Sequence, residues 1–457
     1  MLRLTGAGIA GTASLPLRVA GTEPAGGDVQ WRFETDGEIG HSPTVADGTV
    51  FVGSDDDNLY AVDAGTGDLQ WYYETDHGIT SSPIVADGTV FVEGDDDNLY
   101  AVDVGTGDLQ WYYEPDLFGP PSPTVADGTL FFGSWDDNLY AVDAETGEEQ
   151  WHFETDDMIR HVPTVADGTV FVGSNDQHLY AVDADSGEEQ WRFETDDGIY
   201  LPPTVADGTV FVKSTKNTPY ATTLFAVDAV TGDEQWHFQP DGGIPAVPTV
   251  TDGTVFLHVD SRLYALDADT GDEQWELITG DYSSASATVV DGTVFVGCVD
   301  QNRFYGNLYA VDAGTGDLQW HFKAGDDIVS SPTVADGTVF VVSSDESDLY
   351  AVDAGTGYEQ WRYETEDRVH LSPTVTDGTV FVGSSDGNLY AFDAGDDDSP
   401  GPDDRSPRSG GRPPRSDDGT PSSDDAILGF GIPDVLAGVG AAGYLSITAG
   451  YLLKRRR

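Results

Sequence analysis

The sequence holds one cysteine, Cys298. That excludes an internal disulfide and a metal site built from several thiolates. Cys298 stands where other copies of a repeated motif have Ser, so it reads as a small buried residue at the end of a strand. Lysine is nearly as scarce, with Lys213, Lys216, Lys323 and Lys454 the four in the chain. Lys and Arg together number 20 against 82 Asp and Glu, a formal net charge of −62. A surface so poor in cations excludes nucleic acid as a partner, because phosphate contacts need Lys and Arg. Acidic chains of this kind are often disordered. Here 10 Trp, 20 Tyr and regular apolar triplets argue for a packed fold instead.

At ordinary ionic strength such self-repulsion destabilises a compact state. At molar salt the Debye length falls to roughly 3 Å and the repulsion is screened. Excess Asp with little Lys resembles the proteins of extreme halophiles.

Residues 1–25 are small, weakly apolar and poor in acid, unlike the strongly acidic remainder of the chain. They resemble the later part of a twin-arginine export signal of haloarchaeal type, with cleavage expected near Ala20 or Ala25. The basic pair that should precede "LRLTGAG" is missing, which points to a true start upstream. Residues 396–425 are Pro, Gly, Ser, Asp and Arg with one Thr and no apolar side chain larger than Pro, and read as a flexible spacer. Within residues 426–457, Val435 to Leu453 is a run of nineteen uncharged residues, enough to span a bilayer core of about 30 Å. Lys454–Arg457 then places that end in the cytoplasm and the rest outside. "GFGIP" before the span resembles the sorting tails of archaeal surface proteins, which implies that lipid can replace the helix. The expected location is the extracellular face of the cell membrane.

Between these ends, residues 26–395 repeat a unit of about 40 residues. "AVDAGTGDLQW" at Ala61 returns unchanged at Ala310, as "AVDVGTGDLQW" at Ala101 and, more loosely, at Ala141, Ala181, Ala226, Ala265 and Ala351. Each unit carries four short runs of Val, Phe, Tyr and Ile split by turn signals: Asp-Gly, an Asp-rich turn, and Thr-Gly. A four-stranded sheet cannot bury both faces alone, so neighbours must stack, and the arrangement is an all-β propeller. Asp-Gly-Thr occurs nine times, from Asp47 to Asp377. The fourth-strand tryptophan also occurs nine times: Trp31, Trp71, Trp111, Trp151, Trp191, Trp236, Trp275, Trp320 and Trp361. The two sets are offset. Residues 29–35 are a fourth strand without its first three, and residues 372–393 are three strands without their fourth. Paired, they close a ring of nine blades, with eight as the alternative.

The element AxDxxTGxxxW, as in Ala61 to Trp71, resembles the quinoprotein (pyrroloquinoline-quinone-type) propeller repeat, and it covers residues 29–393. The resemblance implies that the tryptophans dock between blades against glycine backbone. It includes quinone-dependent alcohol dehydrogenases and a propeller lipoprotein of outer-membrane assembly, so it implies no single function. Some of the dehydrogenases use adjacent cysteines, a calcium site and a catalytic Asp on inserted segments. Lacking those motifs, this chain is expected to be no enzyme and to need no cofactor, with pyrroloquinoline quinone plus calcium as the alternative.

The Asp-Gly and Thr-Gly turns lie on one face of the ring and hardly vary. The other face carries the crossovers between blades and the second-to-third loops, which vary greatly and twice lengthen, at Lys213–Thr223 and Cys298–Asn307. That face is the expected working surface. Its candidate residues are His41, Arg160, His161, Tyr200 and His370 before first strands, and Glu93, Lys213 and His258 at the Gly of "VFVGS". Trp135, expected to be exposed, Arg303 and Phe304 complete the set. The Asp clusters at Asp55–Asp57 and Asp95–Asp97 lack the ligand spacing of a calcium loop and read as salt-adapted turns. A monomer that binds another protein or an envelope component is the expected function; a dehydrogenase or a small-ligand or carbohydrate sensor is the alternative.

Overall fold

In the computed structural model the described residues are 26–115, 123–215, 222–279, 282–283, 285–299, 305–328, 330–343, 347–369 and 371–395. They form 36 strands in nine four-stranded antiparallel sheets. Blade 1 is Thr44–Ala46, Thr49–Gly53, Asn58–Asp63 and Leu69–Glu74, in that spatial order. Blades 2 to 8 repeat it over residues 84–113, 124–154, 164–194, 204–238, 249–278, 288–323 and 333–364. Blade 9 pairs Thr374–Thr376, Thr379–Gly383 and Asn388–Asp393 with the N-terminal strand Val29–Glu34. The ring therefore has nine blades, and the eight-blade alternative is set aside.

Local chemistry explains the blade. Asp47 and Gly48 both have positive φ, 47° and 75°, the geometry of a type I′ turn whose twist suits a two-residue hairpin. Along the next strand Val50 and Val52 face blade 9, beside Trp31 and Phe381, while Phe51 faces blade 2 with Leu59 and Ala61. This period of two buries both faces of every sheet, so the core is nine clusters, each between two blades. The third and fourth strands are offset by a bulge, at Ala61/Val62 in blade 1, which adds twist.

Two rings of hydrogen bonds join the blades. On the outside each of the nine tryptophans donates its indole N–H to a carbonyl of the next blade at 2.8–3.2 Å, as Trp31 does to Ala64 O. On the inside the first-strand threonine hydroxyl donates to the residue before the next blade's first strand. Thr44 donates to Pro83 O and Thr374 closes the circle onto Pro43 O. Eight blades make this bond; blade 2 has Ile84 in place of the threonine.

Closure reaches further than residues 29–35. Gly27 N donates to Asp393 O, and Asp393 N to Asp28 O, as Gly67 N does to Asp63 O and Asp63 N to Asp68 O in blade 1. Gly27 also lies under the Trp361 ring. It takes the place of the Thr-Gly glycine from the opposite end of the chain, and "GDVQW" at Gly27 matches "GDLQW" at Gly67.

Both lengthened loops prove to be strand over most of their described length. Blade 5 extends its second and third strands to Thr209–Thr215 and Thr222–Asp228, and blade 7 to Thr293–Val299 and Gly306–Asp312. The signal segment 1–25, the spacer and the anchor, together with Arg303, Phe304 and His370, lie outside the described residues.

Candidate functional site

The first strands of neighbouring blades pack on one another around the axis. Each enters from the crossover face and leaves at its Asp-Gly turn, so crossovers and second-to-third turns share one face. Their bases are fixed. Thr75 Oγ1 lies 2.9 Å from Asp57 O and 2.6 Å from His77 O, tying the Asp-rich turn to the crossover. Ile79 packs against Gly53, and its backbone bridges to Gly94 of blade 2. The Asp-rich turns are internally occupied. Asp56 accepts from Asn58 N at 3.2 Å and from the Tyr60 hydroxyl at 2.8 Å, and Asp136, Asp176 and Asp386 do the same.

Five of the candidate residues lie over blades 3 to 5. The Arg160 guanidinium lies over the Trp135 ring, 5.8 Å from its centroid, and Arg160 Nη2 is 3.3 Å from the Met158 sulfur. Trp135 is thus half-buried, correcting the expectation that it stands exposed: an indole beside a cation gains by stacking. His161, next in the chain, is buried, and its imidazole is pushed down to about 3 by burial, then by the charges of Arg160 and Lys213. Lys213 lies within the second strand of blade 5, 9% exposed, and burial pushes its amine down to about 8. Tyr200, 39% exposed, follows Ile199, whose backbone bridges to Ser214 beside Lys213.

The remaining described candidates do not join them. His41, half-buried before blade 1, has its imidazole pushed down to about 4 by burial. Glu93 in blade 2 is buried, its carboxyl held well above the usual range, with its backbone N–H donated to Ser81 Oγ at 2.9 Å. His258 in blade 6 is buried with Nε2 at 3.2 Å from Thr279 Oγ1 and 3.8 Å from Cys298 Sγ; burial brings its imidazole to about 4. Glu93, Lys213 and His258 replace glycine at a position the neighbouring crossover covers, which is why they are buried instead of lying open on the loop face.

Sequence reasoning missed Met158 and a groove on the outside of blade 7. The groove is lined by Tyr305, Asn307, Tyr309, Leu318, His321 and Lys323, with Lys323 Nζ 3.0 Å from the Tyr305 ring centroid. The signal available was Lys323 itself, which stands where blades 1, 3, 4, 8 and 9 end their fourth strands in Glu.

A calcium-held quinone needs several oxygen donors gathered around the ion. Cys298 has no second cysteine beside it and is fully buried between blades 6 and 7. Among the described residues no three His, Cys, Asp or Glu side chains converge as a metal cage. The described residues do not fit that group.

This architecture, nine stacked four-stranded blades docked by tryptophan, defines a quinoprotein-like β-propeller. The family described as outer membrane protein assembly factor BamB matches residues 17–133, 115–202, 195–321 and 304–398, and the chain belongs to it. No curated protein matches the sequence. Among solved structures, BamB from Moraxella catarrhalis is similar with a TM-score of 0.51 and 16% identity, over 80% of this chain and 99% of that one. Quinohemoprotein alcohol dehydrogenase from Comamonas testosteroni is similar at 0.56 and 15%, over 85% and 78%. The computationally designed Ika8 protein gives 0.52 and 15%, over 79% and 98%. At such identities the likeness is one of fold.

Proposed function

We propose that this chain is a binding scaffold: a propeller held at the outer face of the cell membrane that engages a protein or envelope component through its crossover face. The observation that carries this reading is the contrast between the faces. The Asp-Gly face repeats one turn nine times. The crossover face gathers Trp135, Arg160, His161, Tyr200 and Lys213 over three adjacent blades of an otherwise acidic ring. Membership of a family described as an assembly factor supports a protein partner. The single buried cysteine and the lack of a metal cage among the described residues favour a scaffold over a quinone-dependent dehydrogenase. Export by the twin-arginine route, an anchor at residues 435–453 and growth in molar salt complete the proposal.

The test is affinity capture with the full chain from envelope extract in molar salt. Trp135→Ala with Tyr200→Ala is expected to lose a partner that Thr106→Ala, on the opposite face, retains. Loss with Thr106→Ala alone would put the working surface on the wrong face. Saturable, calcium-dependent binding of pyrroloquinoline quinone, followed by tryptophan fluorescence, would favour the dehydrogenase.

A further inference from the structure

In most blades the third-strand ring at the outer rim faces a basic side chain from its own fourth strand. In blade 4 Arg192 pairs with Tyr180, its guanidinium 5.6 Å from the ring centroid. Arginine also stands opposite that ring in blades 8 and 9, and histidine in blades 3, 5 and 7. In blade 6 the place is taken by Glu276, which pairs with Arg262 at 2.6 Å. Blades 1 and 2 depart from the pattern. Tyr72 stands opposite Tyr60 and Tyr112 opposite Tyr100, with ring centroids 6.2 and 6.3 Å apart. Tyr72 is 57% and Tyr112 55% exposed, and exposed Leu69 and Leu109 continue each pair along its strand. Among the described residues no cation lies over these rings.

Carboxylates border both pairs. Asp56 accepts the Tyr60 hydroxyl and Asp96 that of Tyr100, and neither forms an ion pair among the described residues. Burial, and then Glu38, Asp95, Asp56 and Asp57, hold the Asp55 carboxyl above its usual range, so one acidic field spans the two blades. Ring faces beside unpaired carboxylates suit a guanidinium, which stacks on one and donates to the other. Tyrosine-lined surfaces also take proline-rich chain, because its extended form loses little freedom on docking.

The chain itself carries such a segment. Residues 405–415, outside the described residues, read RSPRSGGRPPR: four arginines, three prolines and no acid. Gly395, ten residues earlier, sits beside Gly26 and Trp361 where blade 8 meets blade 9. Blade 9 in turn adjoins blade 1, with Trp31 against Gly67. Ten extended residues reach at most about 35 Å, and stacked sheets lie about 10 Å apart, so Arg405 can pass blade 9 and meet blade 1.

We propose that residues 405–415 dock on the tyrosine pairs of blades 1 and 2 of the same chain, as a clasp over the seam where blade 9 closes the ring. The tether holds the segment at a high effective concentration. Stacking of guanidinium and proline on the rings buries apolar surface, which molar salt does not screen. Residues 416–425 are left as the spacer. The clasp is independent of the scaffold reading, since it uses the outer rim and not the crossover face.

The test places a photo-crosslinking amino acid at position 409 of the full chain, in molar sodium chloride, in an equal mixture of heavy-isotope-labelled and unlabelled protein. Cross-linked peptides are identified by mass. The expected result is cross-links to residues 69–74 and 109–113 within single chains. Tyr72→Arg with Tyr112→Arg supplies in place the arginine that blade 4 already carries, so the blades keep their fold and the segment is displaced. Those cross-links should then fall about tenfold, the loss of two stacking contacts. Tyr358→Arg, at an exposed tyrosine of blade 8, should leave them unchanged. Replacing Arg405, Arg408, Arg412 and Arg415 by Gln should abolish them. Cross-links between labelled and unlabelled chains would overturn the proposal in favour of a second copy. Cross-links scattered around the ring, or undiminished in the Tyr72→Arg, Tyr112→Arg variant, would overturn it outright.

Discussion

Replacing Gly67 by alanine tests how the blades are held together. A Cβ at Gly67 would stand 2.7 Å from Trp31 Cδ2 and 2.8 Å from its Cγ and Cε3. Ordinary carbon contacts begin near 3.5 Å, so the indole must yield by most of an ångström. It is not free to do so: its N–H is bonded to Ala64 O at 2.9 Å and its ring packs on Phe381, 5.8 Å between centroids. Overpacking of this kind costs about 1–3 kcal/mol. Gly67 also has φ of 74°, which adds about 1 kcal/mol for any L side chain. Gly48 supplies the control. Its φ is 75°, but nothing lies within 4 Å of its Cβ position. Gly48→Ala should therefore cost about 1 kcal/mol and Gly67→Ala about 2–4 kcal/mol. Urea unfolding in molar salt, followed by far-ultraviolet circular dichroism, gives both values. Equal costs would refute the claim that close ring-on-glycine contact holds the interface.

Three further outcomes are expected. His258 is buried with its imidazole near 4, against an ordinary value near 6.5. The unfolded chain gains this proton first, so stability falls as pH drops through that window, by about 3 kcal/mol at pH 4. Melting temperatures from pH 7 to 4 should therefore fall less in His258→Gln than in wild type; parallel curves would contradict the assignment. Thr124→Val leaves Pro163 O without its inner-ring donor and should cost about 1–2 kcal/mol in the same urea assay, whereas an unchanged midpoint would show that the ring adds nothing. Dilution from about 3 M to about 0.1 M salt lengthens the screening distance from under 3 Å to about 10 Å and should lower the melting temperature by more than 10 °C; no change would remove the case for salt adaptation.

Much of the fold was legible because each repeated residue has a local task. Asp-Gly fixes a turn, Val-Phe-Val fixes which side of the sheet is buried, and the offset between nine tryptophans and nine turns fixes the closing blade. Even Gly27 could have been read from "GDVQW". The site was less legible. That Arg160 and His161 share a face with Trp135 follows from topology. Burial of Glu93, Lys213 and His258 does not, because it depends on which crossover residue of the neighbouring blade lies on top. Ile79 against Gly53 shows the rule, and a larger residue at the glycine position changes what that crossover covers.

The central claim is that the crossover face does the binding. A photo-crosslinking amino acid placed at Tyr200 on that face, and separately at Asp127 on the opposite face, tests it in intact cells. The account predicts a discrete cross-linked partner from position 200 and none from position 127. Cross-linking from 127 with none from 200 would contradict it.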